Sequence, residues 1–205
     1  MQYLTLDGEF SSKYEILHSV FICHIKGISS FEEGLEYVSK ISKKYNDATH
    51  NCYGIVTING QQKLSDDGEP GGTAGMPIGQ VIKMQNLTNV VAVVTRYFGG
   101  VKLGVGGLVS AYTQSVVDAL KVSNIVSMEL SRVVSVNFDY ACYSAFLNFL
   151  NGIKSKVLDT VFDNEVTLQF AFPVELENQI SNKIAELTSG KSELIFETEN
   201  KYYKY

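Results

Sequence analysis

Residues 65–78 read SDDGEPGGTAGMPI and residues 93–112 read VVTRYFGGVKLGVGGLVSAY, and these two windows hold nine of the chain's seventeen glycines. Glycine weakens helix and strand interiors unless the backbone must turn sharply or approach another group closely, so this concentration marks two tight, purpose-built loops. Each window runs into a helical pattern. Helix N-termini carry unpaired N–H groups and a partial positive charge, so a glycine loop leading into one is a candidate anion site.

Between and around these loops, side-chain periodicity predicts the regular elements. Strands are expected over residues 19–26, 51–58 and 89–95. Residues 30–44 form an amphipathic helix capped by Ser29 or Ser30, with Glu32 and Glu33 in its first turn and Lys43 and Lys44 in its last. Asn59-Gly60 marks a turn. Pro77 opens a helix running to about residue 86, and a second helix with the stripe Leu108, Tyr112, Val116, Ala119 and Leu120 ends near Val122. From Arg132 the order becomes strand (132–138), helix (140–150), strand (154–162), strand (165–172), helix (opened by Pro173, to about 188) and strand (193–198), with a hairpin turn at Asp163-Asn164. That βαββαβ order is the split βαβ, or ferredoxin-like, arrangement. The fold class is therefore α+β in two domains, residues 1–130 and 131–205, joined by a weakly structured connection at 128–131.

Composition excludes several function classes. The 205 residues are 45% hydrophobic and 19% charged with a formal net charge of −5, which offers no global attraction to nucleic acid, so any phosphate binding must be local. No apolar run is long enough to cross a bilayer and no signal-peptide pattern opens the chain, so a cytoplasmic location without membrane contact is expected. Three widely spaced cysteines, Cys23, Cys52 and Cys142, argue against a disulfide framework.

The second glycine window supplies the anion-site candidates. Arg96 and Lys102 bring two cations into a stretch poor in charge, Tyr97 adds an aromatic, and Gly99, Gly100, Gly104, Gly106 and Gly107 leave backbone N–H groups open, as in an anion cradle. The window is neither a Walker A loop, since Lys102 lacks the following Ser or Thr, nor a full GxGxxG, since Val109 takes the last glycine place. In the first window Asp66, Asp67 and Glu69 are candidates for shaping the loop, for holding a hard cation, or for neutralising Arg96 or Lys102. His50 and Cys52 share one strand face, open to a reactive thiol or to a buried cysteine beside a hydrogen-bonded histidine. The adjacent Cys23 and His24 face opposite sides, which disfavours a shared metal site. No cofactor and no metal ligand set is expected. The tail Lys201-Tyr202-Tyr203-Lys204-Tyr205 alternates aromatics with lysines, as single-strand RNA binders do, or packs at an edge.

The two windows, together with DATHNC at residues 47–52, closely resemble the signature of the IMPACT family, in its bacterial YigZ-type branch, where an SDDGEP-GTAG loop precedes a TRYFGG-KLG-GGL loop. The resemblance covers the whole chain. It implies an N-terminal domain of the ribosomal protein S5 domain 2-like fold, followed by the ferredoxin-like domain. It also implies a translation- or stress-linked regulatory binding protein, with RNA or the ribosome as the leading partner. A protein-interaction module in translation control, anchored by Tyr97 and Phe98, is the alternative. An enzyme acting on a phosphorylated ligand through the same loops is a third reading, and the balance leans away from catalysis. Departures from the family pattern remove three potential cations, since Met76 and Ser110 stand where the family commonly has arginine and His18 where it has lysine; Tyr53 also replaces a tryptophan.

Overall fold

A computed structural model describes residues 2–197 and 200–205, which divide into two compact units at residues 126 and 127, the second unit also taking in the extreme N-terminus. The first unit contains β1 (Gln2–Leu6) from Tyr3 onward, β2 (Glu9–Ile16), β3 (Ser19–Gly27), α1 (Phe31–Lys44), β4 (His50–Val56), β5 (Gln62–Ser65), α2 (Gly75–Met84), β6 (Val90–Tyr97) and α3 (Gly104–Lys121). Its five-stranded antiparallel sheet has the order β2-β3-β6-β4-β5. Alternation sorts the strand residues between two cores. Val91, Val93 and Ile55 pack on Tyr37 and Ile41 of α1, while Phe21, Cys23, Ile25, Cys52, Ala92 and Val94 pack on α2 and α3.

Helix α1 begins as its sequence predicts. The Ser30 side chain accepts the Glu33 N–H at 3.1 Å, and Glu33 reaches back to the Ser29 N–H at 2.7 Å and to Lys26 at 2.6 Å. These bonds satisfy donors that a helix start otherwise leaves open.

The second unit follows β7 (Ile125–Phe138), α4 (Tyr140–Asn151), β8 (Lys156–Phe162), β9 (Val166–Pro173), a 3-10 turn (Val174–Leu176), α5 (Glu177–Thr188), β10 (Ile195–Phe196) and β11 (Lys201–Tyr203). Strand β9 lies between β8 and β7, and both short closing strands pair with β7, all antiparallel. Val134, Val136, Leu168, Phe170 and Phe172 face Phe146, Leu150, Ile180 and Ile184 of the two helices.

Several expectations need correction. The connection expected at 128–131 lies inside β7, a continuous 14-residue strand that begins well before Arg132. Pro173 ends β9 and precedes a 3-10 turn instead of opening the helix directly. The last strand expected at 193–198 is two residues long, with Thr198 outside the described residues, and the tail adds β11 against Glu129, Leu130 and Ser131 of β7. Strands β1, β2 and β5 were not anticipated. In β2 the partly buried positions alternate with exposed Glu9, Ser11, Lys13 and Glu15, an edge-strand pattern whose low hydrophobicity hides it from a composition scan. Finally, Gly104, Gly106 and Gly107 are not loop residues: they form the first turn of α3.

Candidate interaction site built on the glycine loops

Strand parity assembles this site. Phe21 on β3, Arg96 on β6 and His50 on β4 lie opposite one another in register, and Cys52 follows His50 on the same face. Arg96 thus points to the side covered by α2 and α3, where its guanidinium carbon lies 5.4 Å from the ring centres of both Phe21 and Phe98. There it meets Glu69 of the first glycine window, Nη1 to Oε1 at 2.6 Å, with side-chain exposures of only 6% and 3%. The same Oε1 accepts the Tyr112 hydroxyl of α3 at 2.8 Å, and that hydroxyl accepts the Cys52 thiol at 3.2 Å. Four residues from four parts of the chain thereby form one buried polar chain.

The acidic loop serves its own backbone. Asp66 Oδ2 accepts the Gly72 N–H at 2.8 Å, and Oδ1 accepts those of Ala74 and Gly75 at 3.0 and 2.8 Å. Asp66 acts as the cap for α2 from eight residues upstream, since Ala74 at the cap position offers no side-chain acceptor. Partial desolvation pushes its carboxyl pKa up, but the three N–H donors outweigh that and hold it below the ordinary value. Asp67 sits at φ 43°, accepts the Asn51 N–H at 2.6 Å through its side chain and the His50 Nδ1 at 2.7 Å through its carbonyl. A carbonyl only accepts, so Nδ1 carries the proton and Nε2 faces Glu69 Oε2 at 3.9 Å.

Residues 47–52 template the second loop. Tyr97 donates to Asp47 at 2.9 Å, the Phe98 N–H to Thr49 Oγ1 at 3.0 Å, and Thr95 to Asn51 Oδ1 at 2.7 Å. The β2–β3 turn closes the other flank, with the Gly99 N–H donating to Ser19 at 3.1 Å. A side chain at Gly99 would lie 2.0 Å from the His18 backbone, so glycine is required there for packing.

The candidate residues therefore divide. Arg96 is not available to an external anion: Glu69 takes its charge inside the protein, which corrects its place in an anion cradle. Glu69 and Asp66 are likewise engaged internally. Lys102 is exposed, with no ion-pair partner among the described residues, and Gly100, Gly104 and Gly106 face open space. Around them lie exposed apolar groups, Phe98, Val101 and Val105 at 46%, 42% and 64%. Met76 and Ser110 are also exposed, on the first turn of α2 and on α3. Cys52 is buried, and desolvation, the largest influence, pushes its thiol up to about 12, so it is no nucleophile at neutral pH. Tyr112 and Asn51 join the network without having been singled out as site residues. Tyr112 reads as one more member of an apolar helix stripe, and only the register that brings Glu69 beside it reveals the hydroxyl's use.

Comparison with known proteins places this geometry in context. Residues 17–120 match the family model described as the Impact N-terminal domain, and residues 136–191 match the domain of unknown function DUF1949. The IMPACT family member YvyE of Bacillus subtilis is 37% identical over 94% of this chain and 89% of its own length. The member YigZ of Escherichia coli is 29% identical over 88% of this chain and 91% of its own. The rabbit protein IMPACT is similar over 42% of this chain and 29% of its own, at 34% identity. A crystal structure described as that of a hypothetical protein superposes with a TM-score of 0.66 at 28% identity, over 97% of this chain and 98% of that one. Two domain matches in order, and relatives that align along nearly the whole chain, make this protein a member of the IMPACT family.

Proposed function

We propose that this chain is a translation-linked regulatory binding protein of the cytoplasm, and that the rim formed by Phe98, Val101, Lys102 and Val105 docks an acidic, partly apolar segment of a protein partner. Within this reading the first unit has the ribosomal protein S5 domain 2-like fold and the second the ferredoxin-like fold. The observation that carries it is the internal pairing of Arg96 with Glu69. With that cation withdrawn, the rim presents apolar side chains and one ammonium group, a composition suited to a protein surface with a small electrostatic bias. Helix α3 adds the partial positive charge of an 18-residue helix pointing its N-terminus at the same rim. Among the described residues no helix is long and apolar enough to cross a membrane.

RNA or ribosome contact is the second reading, favoured by the open glycine turn at Gly104–Gly107 beside Lys102, which suits one phosphate. Each neutralised phosphate contributes about one unit to the salt dependence of binding, so contact through Lys102 alone predicts a shallow slope. Capture with the full chain distinguishes the two. A partner retained after nuclease treatment and lost on Val105→Asp supports protein docking. Loss with nuclease, or binding indifferent to Val101→Asp and Val105→Asp, refutes it.

A further inference from the structure

Two asparagine–glycine bonds occur in the chain, Asn59-Gly60 and Asn151-Gly152. Glycine after asparagine favours deamidation, because no side chain obstructs the approach of the glycine nitrogen to the asparagine carboxamide. All four residues are exposed, so access to water does not separate the two bonds. The backbone does. Asn151 is the last residue of α4, and the Gly152 N–H donates back to the carbonyls of Leu150 and, at 3.0 Å, Phe149. Committed to the helix end in this way, the Gly152 nitrogen cannot turn toward the Asn151 side chain without opening the last turn.

Asn59 lies in the turn between β4 and β5, outside any helix or strand. The Gly60 N–H donates to the Thr57 carbonyl at 3.2 Å, its φ is 83°, and a Cβ there would meet nothing within 4 Å. The Asn59 carboxamide folds forward over this amide: Oδ1 accepts the Gln61 N–H at 3.3 Å and the Thr57 hydroxyl, and Nδ2 donates to Gln61 Oε1 at 3.1 Å. Both donors on Oδ1 draw electron density away from Cγ, and they stand where negative charge collects when a nucleophile adds to that carbon.

We propose that Asn59 is a modification site, a spontaneously deamidating residue through which the protein acquires isoaspartate in the β4–β5 turn. The Gly60 nitrogen gives its proton to hydroxide and bonds to Asn59 Cγ, and the negative charge passes to Oδ1. On collapse the Cγ–Nδ2 bond breaks, and the leaving nitrogen takes a proton from water, departing as ammonia and regenerating hydroxide. Water then opens the succinimide. Rupture of the new Cγ–N bond gives aspartate at position 59, and rupture of the original peptide C–N bond gives isoaspartate. Aspartate keeps the acceptor that holds the turn. Isoaspartate adds a carbon to the main chain just before the Val56–Gln62 pair, and so disturbs the register of β5 on β4. Strand β5 leads into the acidic loop, where Asp66 caps α2, so the modification reaches the first glycine window. This inference concerns the turn alone and does not rest on the docking rim.

The test is incubation of the full chain at mildly alkaline pH and physiological temperature, with conversion at each asparagine read by fragment-ion mass spectrometry and isoaspartate distinguished by enzymatic carboxyl methylation. In the folded protein Asn59 should convert about tenfold faster than Asn151, the effect of the one or two net backbone hydrogen bonds that only Asn151-Gly152 must break. In urea, where both backbone geometries are lost, the two rates should converge. Asn59→Gln, whose longer side chain closes the ring poorly, should remove the amide-to-acid mass change from the turn peptide. Amide exchange at Lys63 and Leu64 should be faster in the isoaspartate form than in the aspartate form. Equal rates at Asn59 and Asn151 in the folded chain, no conversion of Asn59, or an excess at Asn59 that persists unchanged in urea would overturn the assignment, and equal amide exchange in the two products would overturn the coupling to β5.

Discussion

Glu69→Ala removes the carboxylate at the centre of the buried network while leaving its partners in place. Glu69 and Arg96 are 3% and 6% exposed in their side chains, so the orphaned guanidinium cannot recover solvation without opening the loop. Its Nε already lacks a hydrogen-bond partner among the described residues, which leaves the ion pair as the main compensation for burying that charge. Breaking a buried pair by deleting one partner costs about 3–5 kcal/mol. Tyr112 loses its 2.8 Å acceptor in the same step, adding a cost of about 1–3 kcal/mol if its hydroxyl finds no substitute. With a urea dependence of about 2 kcal/mol per molar, the lower figure alone shifts the unfolding midpoint by about 1.5 M. The assay is urea unfolding followed by circular dichroism, read for the transition of the first unit. The double replacement Glu69→Leu with Arg96→Met should be less destabilised than either single variant, because a matched apolar pair needs no charge compensation. A midpoint shift under about 0.5 M for Glu69→Ala, or strict additivity in the double variant, would refute the argument that this pair is a mutually dependent buried unit.

Further expectations follow from the same geometry. Gly99→Ala should destabilise the first unit and displace Phe98, because a Cβ there would lie 2.0 Å from the His18 backbone; a wild-type melting temperature would contradict that packing. Glu33 is subject first to desolvation, which raises its pKa, but the bonds from Lys26 and Ser29 prevail and draw it down to about 2. Because the folded value is depressed, the stabilisation is present above the ordinary carboxylate pKa of 4.5 and is lost as pH falls toward 2, so acid unfolding should be less steep in Glu33→Gln over that window. In the folded protein Cys52 should resist alkylation at neutral pH, its thiol being pushed up to about 12 by burial, while the half-buried Cys142 reacts first; mass spectrometry after iodoacetamide treatment reads the order.

The elements most legible in the sequence are those whose signals are local. Helix α1 starts at Phe31 because Ser30 and Glu33 satisfy its open donors, and both residues sit within one turn of the boundary they set. The first five residues of strand β6, Val90 to Val94, are an uninterrupted apolar run because both faces are covered, Val91 and Val93 by α1 and Ala92 and Val94 by the other helices. The βαββαβ order of the second unit follows from successive periodicities of the same kind. Harder to read were β2, whose polar outer face reduces its hydrophobicity, and the start of α3. There glycines that look like loop residues adopt a helical turn because Leu108, Tyr112 and Val116 anchor the helix downstream.

By itself the sequence determined the family, the α+β class, two of the three segments that shape the site as glycine loops, and the third as their companion motif. What only tertiary structure decided is which charges remain for function. Arg96 and Glu69 are 27 residues apart, and nothing local distinguishes an arginine awaiting a phosphate from one already paired. That choice depends on strand register, which aligns His50, Arg96 and Phe21 across the sheet, and on burial, which makes the internal pair obligatory once the guanidinium has left water.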